Sequence, residues 1–214
     1  MNYKIISTGS KGNAVFFPEC GILIDCGVSF ASLNDIRKDI KIILLTHRHS
    51  DHLNKATLKR LMKERPSLRV GCMVYVYGIL TEEMGIPAER VDVYGYDLLY
   101  DYGEWNIAPF PVPHNVPNCG YILTVGNKKI FYATDAGNLD HISAEDCDMY
   151  FIEANYGEEE IEERISEKKV DGRFIYERDV LNNHLSYEQA MDFLIRNNTK
   201  NAEYVLLHGH IERD

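Results

Sequence analysis

The stretch THRHSDH at residues 46–52 decides the fold of this chain. It follows Lys41–Leu45, a short apolar run rich in isoleucine, which predicts a strand buried on both faces. In an extended segment His47 and His49 point the same way, because side chains alternate along a strand with a period of two. Imidazoles and carboxylates are the ligands that Zn²⁺, Mn²⁺ and Fe²⁺ prefer. The motif therefore predicts a metal site at the end of this strand, rather than a solvated polar loop.

The residues after the strand predict a helix that runs from about Ser50 to Pro66. Asp51 is expected in the first turn of that helix, with His52 next to it. A strand followed at once by a helix would therefore carry four ligand-type side chains at a single turn.

Two groups of strand-like runs, each ending in a helix, favour a layered α/β fold. The strands of the first group are Tyr3–Ser7, Ala14–Phe17, Ile22–Ile24 and Lys41–Leu45. Those of the second are Trp105–Phe110, Tyr121–Val125, Lys129–Ala133, Met149–Glu153 and Tyr204–Leu207. Helices are expected near Tyr77–Met84, over Gly157–Lys169, and after Ser186, which forms a capping box with Gln189. Because no linker divides the 214 residues, we expect a single domain over 1–214.

The composition limits the location and the partners of the chain. With 45% apolar residues it can bury a core without disulfides, and its five cysteines contain no C-x-x-C pair. We therefore expect the thiols to be reduced, and the first residues show no signal-peptide pattern. Both features predict a cytoplasmic protein. No run of about 18 apolar residues occurs, so no membrane span is expected. The net charge of −10 excludes a broad basic surface for non-specific nucleic-acid binding.

The motif at residues 46–52 resembles the signature of the metallo-β-lactamase superfamily. STGSKGN at residues 7–13 and LIDCG at residues 23–27 resemble the start of its single-domain, nuclease-like (WalJ/YycJ-like) branch, which is related to tRNase Z and RNase J. Five later segments resemble further motifs of that branch: Val112–His114, Tyr132–Gly137, Ile152–Asn155, Asn183–Ser186 and Leu206–His208. The resemblance implies an α/β (α+β) fold, a four-layer αβ/βα sandwich of the metallo-β-lactamase type.

The resemblance also implies a site for two divalent metal ions, for which zinc is expected and manganese or iron are the alternatives. The ligands of the first ion would be His47, His49 and His114. Those of the second would be Asp51, His52 and His208, with Asp135 bridging the two ions. His210, two residues after His208, competes for the last position. Each implied ligand follows a strand-like run, as expected if all of them gather at one edge of a sheet.

His184 and Glu153 are the candidates for proton transfer. In the branch that the chain resembles, the comparable histidine acts near the leaving group, and the glutamate orients it. Histidine is the side chain best suited to protonating a departing alkoxide near neutral pH. The alternative for His184 is a structural position at the entry to the helix that Ser186 caps. Asp51 would help to orient the nucleophile.

Two further features have open interpretations. The glycine-rich loop Gly9–Asn13 could present backbone N–H groups to an anion, or it could form an ordinary glycine turn. Four basic residues between Glu153 and His184 could follow a phosphodiester backbone or form a solvated face: Lys168, Lys169, Arg173 and Arg178.

The expected function is that of a dinuclear metal-dependent hydrolase, a phosphodiesterase or nuclease that attacks DNA or RNA through a metal-bound hydroxide. Two divalent ions would offset about four of the ten net negative charges, so a single-stranded end, a short oligonucleotide or a small nucleotide fits better than wrapped duplex. One alternative is a hydrolase of small esters, lactones or thioesters on the same scaffold. A second is a metal-stabilised binding module without an open coordination position. The segment His184–Ser186, together with Glu153, resembles the nuclease side of the superfamily more than its glyoxalase or lactonase side, and this resemblance favours the nuclease.

Overall fold

The computed structural model describes residues 1–209, which form two compact units. The first unit spans Met1–Phe110, and the second begins at Pro111. His210, the predicted competitor of His208, lies outside the described residues.

The first unit is built on a six-stranded sheet whose strands lie in the order of the chain. They are β1 (Lys4–Ser7), β2 (Ala14–Phe17), β3 (Ile22–Ile24), β4 (Ile42–Leu45), β5 (Arg69–Met73) and β6 (Val91–Tyr94). The first three strands are antiparallel, and β3 to β6 are parallel. All four residues of β4 are buried, as its run of isoleucine and leucine predicts.

Helices and a hairpin complete the first unit. The helices are α1 (Lys55–Glu64) and α2 (Val74–Gly78), and α2 continues into a π-helical turn over Ile79–Glu83. A short hairpin pairs β7 (Tyr100–Asp101) with β8 (Trp105–Val112), and the second unit begins near the end of β8.

Helix α1 begins five residues later than the sequence predicts. Asn54 is its N-cap and accepts a hydrogen bond from the Thr57 N–H at 3.0 Å. Asp51 and His52 therefore lie in the turn before the helix, and the prediction that Asp51 occupies the first helical turn is wrong. Backbone bonds to other loops keep both residues out of the helix, since Asp51 O accepts from Asn13 N and His52 O from Cys26 N.

The second unit contains four further strands in the spatial order β12-β11-β10-β9. They are β9 (Asn118–Val125), β10 (Lys128–Ala133), β11 (Met149–Glu153) and β12 (Glu203–Leu207). β9 and β10 are antiparallel, whereas β10, β11 and β12 are parallel. Its helices are α3 (Glu158–Val170), α4 (Glu177–Asn183) and α5 (Tyr187–Asn197). The predicted capping box of Ser186 and Gln189 starts α5, and the Phe193 ring of α5 stacks on Phe131 with centroids 4.9 Å apart.

The parallel strands determine where the polar residues lie. In the first unit Ile24 pairs with Leu44, so the residues that follow β3 and β4 meet at one edge. In the second unit Ala133 pairs with Ile152, and Glu153 with Leu207. The residues that follow β10, β11 and β12 therefore also share one edge. The predicted mixed α/β class, with two sheets and helices, is confirmed.

Candidate metal centre

In the first unit, Asp25 at the end of β3 holds the start of the histidine motif. Its Oδ1 accepts the Thr46 N–H at 2.9 Å, and its Oδ2 lies 2.7 Å from His52 Nδ1. The Thr46 hydroxyl lies 3.0 Å from both carboxylate oxygens. Complete burial raises the pKa of Asp25, and the neighbouring His52 and Thr46 oppose that rise. The sequence alone does not predict this role of Asp25, although an aspartate directly after a buried strand is a local signal for a functional residue.

The same network fixes which nitrogen of His47 can act as a ligand. Because the Thr46 hydroxyl donates to Asp25, it accepts from His47 Nδ1 at 3.0 Å. His47 Nε2 then faces His49 Nδ1 at 3.0 Å, and the two rings meet edge to face. Two imidazole nitrogens thus point toward the same place, as the alternation along a strand predicts.

Asp51 and His52 lie beside this histidine pair. The rings of His47 and His52 are 4.1 Å apart, and Asp51 Oδ2 lies 3.6 Å from His52 Nε2. Asn13 Nδ2 also approaches His52 Nε2, at 2.8 Å. The four predicted ligands of the first unit are therefore neighbours.

Glycine allows the loops of the first unit to approach closely. A Cβ atom at Gly27 would overlap the carbonyl oxygen of Asp51, so only glycine fits there. In the loop Gly9–Asn13, the N–H of Gly12 donates to Gly9 O and that of Gly9 to Asn13 Oδ1. These internal bonds favour the ordinary glycine turn over the anion-binding interpretation.

In the second unit, Asp135 lies at the centre of three histidines. Its Oδ1 is 3.9 Å from His114 Nε2, 3.6 Å from His208 Nε2 and 3.7 Å from His184 Nδ1. His114 Nδ1 donates to the carbonyl oxygen of Asn183 at 3.0 Å, which directs Nε2 toward Asp135. His114, Asp135 and His208 are nearly or fully buried at their side chains.

Glu153 organises the other side of this cluster. Its Oε1 accepts from His184 Nδ1 at 2.6 Å and lies 3.3 Å from His208 Nδ1. Its Oε2 accepts the Ala136 N–H at 2.8 Å. Asn155 Nδ2 lies 2.9 Å from His208 Nδ1, a contact that was not predicted from the sequence. The carboxylate of Glu153 is fully buried, whereas the His184 side chain keeps 18% of its surface exposed.

Three residues in or beside the two clusters adopt the left-handed backbone region, which residues other than glycine rarely enter. The φ angles of Asp25, Asp135 and His208 are 60°, 54° and 57°. Each residue follows the end of a buried or partly buried strand. Strain of this kind is concentrated at functional sites, because the surrounding structure must hold it in place.

The donor atoms fit divalent ions. Asp135 Oδ1 and the two histidine Nε2 atoms near it are separated by 3.6 Å and 3.9 Å, which exceeds a hydrogen bond. Ligand atoms of a tetrahedral zinc ion lie roughly 3.4 Å apart. His52 Nδ1 contacts the carboxylate of Asp25, and His114 Nδ1 contacts the carbonyl oxygen of Asn183. Metal-ligating histidines usually make such a contact through the ring nitrogen that does not bind the metal. Neutral imidazoles and carboxylates suit zinc, manganese or iron, so the clusters are those of a divalent metal site.

The structure brings the predicted residues together in two groups, one in each unit. The first group is His47, His49, Asp51 and His52. The second is His114, Asp135, Glu153, His184 and His208.

Comparison with known proteins identifies the fold. The family described as "Beta-lactamase superfamily domain" matches residues 21–208, which is most of the chain. The chain belongs to this family. The exodeoxyribonuclease WalJ of Streptococcus pneumoniae is similar at 23% identity, over 99% of this chain and 82% of WalJ.

Solved structures of the superfamily have the same fold. The metallo-beta-lactamase fold protein YhfI from Bacillus subtilis superposes with a TM-score of 0.73 and 16% identity, covering 97% of this chain and 85% of YhfI. The short form of human tRNase Z superposes with a TM-score of 0.67 and 17% identity, covering 98% of this chain and 93% of tRNase Z. The predicted metallo-β-lactamase fold and the predicted resemblance are confirmed. Among residues 1–209, no helix is both long and apolar enough to span a membrane.

Proposed function

We propose that this superfamily member is a phosphodiesterase that hydrolyses nucleic acid with two divalent metal ions. The chain is a metal-dependent hydrolase. The nuclease names of similar proteins, WalJ and tRNase Z, support a phosphodiester substrate. The five cysteines are buried and none is in a disulfide, which is consistent with the cytoplasmic location that we propose.

One contact supports a phosphodiester as the substrate. Glu153 accepts the Nδ1 proton of His184 at 2.6 Å, and the carboxylate is fully buried while the imidazole is partly exposed. A histidine held in this way presents Nε2 to a substrate and can give its proton to a departing alkoxide. His184 is the proposed acid, and Glu153 is a positioning residue for it. Hydrolysis of a thioester has less need of such an acid, because a thiolate is a better leaving group than an alkoxide.

The metal ligands of the proposal come from both units, which would form one catalytic domain over 1–214. The first ion would be held by His47, His49 and His114. The second would be held by Asp51, His52 and His208, with Asp135 bridging. When bound, such a pair polarises a phosphoryl oxygen and lowers the pKa of water toward neutrality. Asp51 would also accept a hydrogen bond from the attacking water and so orient it.

The proposal is tested by turnover and metal content together. The metal-loaded protein is assayed on bis-p-nitrophenyl phosphate, single-stranded DNA, RNA and a panel of lactones. The variant His184→Ala should keep its metal, while hydrolysis of DNA and RNA, whose leaving groups are alkoxides, falls by about 10²-fold. His141→Ala, an exposed histidine in the same unit, is the matched control and should leave turnover unchanged.

Two outcomes would reject the proposal. Loss of metal from His184→Ala would make this histidine a ligand instead of an acid. Turnover of lactones without hydrolysis of any phosphodiester would select the small-molecule alternative.

A further inference from the structure

The segment that joins α3 to α4 exposes aromatic side chains beside cations. Phe174 is 82% exposed and Tyr176 is 48% exposed. Val170 and Leu181, on the two flanking helices, are exposed as well. Residues 168–178, here called the α3–α4 segment, therefore present an apolar surface that the second unit leaves uncovered.

The charge of the α3–α4 segment is opposite to that of the whole chain. Its four basic residues are Lys168, Lys169, Arg173 and Arg178, and its two acidic residues are Asp171 and Glu177. Both carboxylates are already in ion pairs, Asp171 with Arg173 at 2.7 Å and Glu177 with Lys168 at 2.5 Å. Lys169 and Arg178 add two exposed cations, in a protein whose net charge is −10.

Hydrogen bonds hold this segment in a defined shape. The Arg173 N–H donates to Lys168 O at 3.0 Å and the Gly172 N–H to Lys169 O at 3.4 Å, which is the Schellman arrangement at a helix C-terminus. Gly172 supplies the left-handed residue that this arrangement requires, with a φ of 64°. Lys168 Nζ lies 3.9 Å over the ring of Tyr176. The aromatic and basic side chains thus belong to an ordered turn.

Helix α4 connects this surface directly to the candidate acid. Its seven residues run from Glu177 to Asn183, and His184 is its C-cap. At a rise of 1.5 Å per residue the helix is about 10 Å long, which equals roughly three nucleotides of a strand with 3.4 Å spacing.

We propose that the α3–α4 segment binds single-stranded nucleic acid next to the cleavage site. A base stacks on Phe174, and the phosphates of the flanking nucleotides contact Lys169 and Arg178. Aromatic side chains interleaved with cations are the usual surface for single strands, because every base has a face that can stack. The inference rests on the proposed function in one respect, the path of the bound strand. The strand is placed between this surface and His184 because His184 is the proposed acid. It also explains how a chain of net charge −10 can bind a polyanion through one local surface.

The test measures binding apart from turnover. The metal-loaded protein is titrated into a fluorescein-labelled oligothymidylate of about 12 nucleotides with phosphorothioate linkages, and anisotropy is recorded at several salt concentrations. Phe174→Ala should weaken binding by about 10-fold, the loss expected from one stacked base. The double variant Lys169→Ala/Arg178→Ala should reduce the slope of log K against log salt by about 1.4, since each phosphate contact on a single strand contributes about 0.7.

Matched controls lie on α5 of the same unit. Ile195 is 76% exposed and Arg196 is an exposed cation, so Ile195→Ala and Arg196→Ala should bind the oligonucleotide like the wild type. Turnover of bis-p-nitrophenyl phosphate by Phe174→Ala should also be unchanged, because that substrate is too small to reach the segment.

Two other outcomes overturn the proposal, and a third separates it from the proposed catalysis. Unchanged oligonucleotide binding by Phe174→Ala, or an equal loss in Ile195→Ala, means that no base stacks there. If Phe174→Ala instead converts a dimer into a monomer in sedimentation velocity while binding stays the same, the surface contacts a second copy of the chain. If the wild type hydrolyses no phosphodiester but Phe174→Ala still loses affinity, the proposed catalysis fails while the strand-binding surface stands.

Discussion

Asp25 Oδ2 lies 2.7 Å from His52 Nδ1, and both side chains are fully excluded from solvent. A carboxylate in this position fixes the tautomer of the imidazole, so that Nε2 is the nitrogen available to the proposed metal ion. Asp25 also binds the backbone and the hydroxyl of Thr46, which in turn contacts His47 Nδ1. One buried carboxylate therefore orients two of the proposed ligands without being a ligand itself.

Replacing this carboxylate should weaken metal binding while leaving every ligand in place. We expect Asp25→Asn to lower metal affinity by about 10- to 100-fold, because contacts that orient ligating histidines have effects of this size. Competition with a chromophoric chelator measures the affinity. Asp35→Asn, at an exposed position of the same unit, is the control and should bind metal like the wild type. Equal affinities for the two variants would contradict the role given to Asp25.

Asp135 can be tested with a substitution that preserves the backbone. Asn tolerates the left-handed region, so Asp135→Asn keeps the turn at a φ of 54° and removes only the negative charge. Because Asp135 is the proposed bridge, we expect the variant to lose one or both ions in elemental analysis of the purified protein. Asp146→Asn has the same backbone geometry at an exposed turn, with a φ of 61°, and should keep full metal content. Full occupancy in Asp135→Asn would reject the bridging assignment.

Gly27 should be among the glycines that cannot be replaced. A methyl group there would overlap the carbonyl oxygen of Asp51, which is backbone and cannot rotate away. We expect Gly27→Ala to lower the free energy of unfolding by about 1–3 kcal/mol or more, measured by urea denaturation. Gly78 has open space around its Cβ position and a helical φ of −61°, so Gly78→Ala should be neutral or stabilising. A stable Gly27→Ala protein would show that the two loops are farther apart than described.

The cysteines should resist thiol reagents as long as the chain is folded. Burial raises the pKa of the Cys26 thiol to about 12 and that of Cys20 to about 11, so little reactive thiolate exists at neutral pH. All five cysteines are buried, and none of them is in a disulfide. We expect alkylation of the native protein at pH 7.5 to be at least about tenfold slower than in urea, where five thiols should react. Rapid labelling of the native protein would indicate local opening around a cysteine.

The sequence predicts the strands and the ligands better than the elements that support them. The run Ile42–Leu45 and the alternation of His47 and His49 have strong local signals, and the structure agrees with both. The role of Asp25 depends on a strand pairing, Ile24 with Leu44, that no local pattern contains.

One helix boundary and one helix that the sequence does not predict show why local signals fail. Ser50, Asp51 and Asn54 are all residue types that cap helices, and only the bonds of Asp51 and His52 to distant loops select Asn54. Helix α4 has only seven residues, which is too few for a helical period to be recognised.

The left-handed turns at Asp25, Asp135 and His208 have a consequence for how ions enter and leave. Their backbone angles are set when the strands pair, so these side chains are aimed before any cation arrives. The entropic cost of gathering the ligands is then met during folding, and capture of an ion requires little reshaping. A chelator should accordingly strip the metal from the protein and leave the secondary structure of each unit intact, and activity should return on simple readdition of the ion.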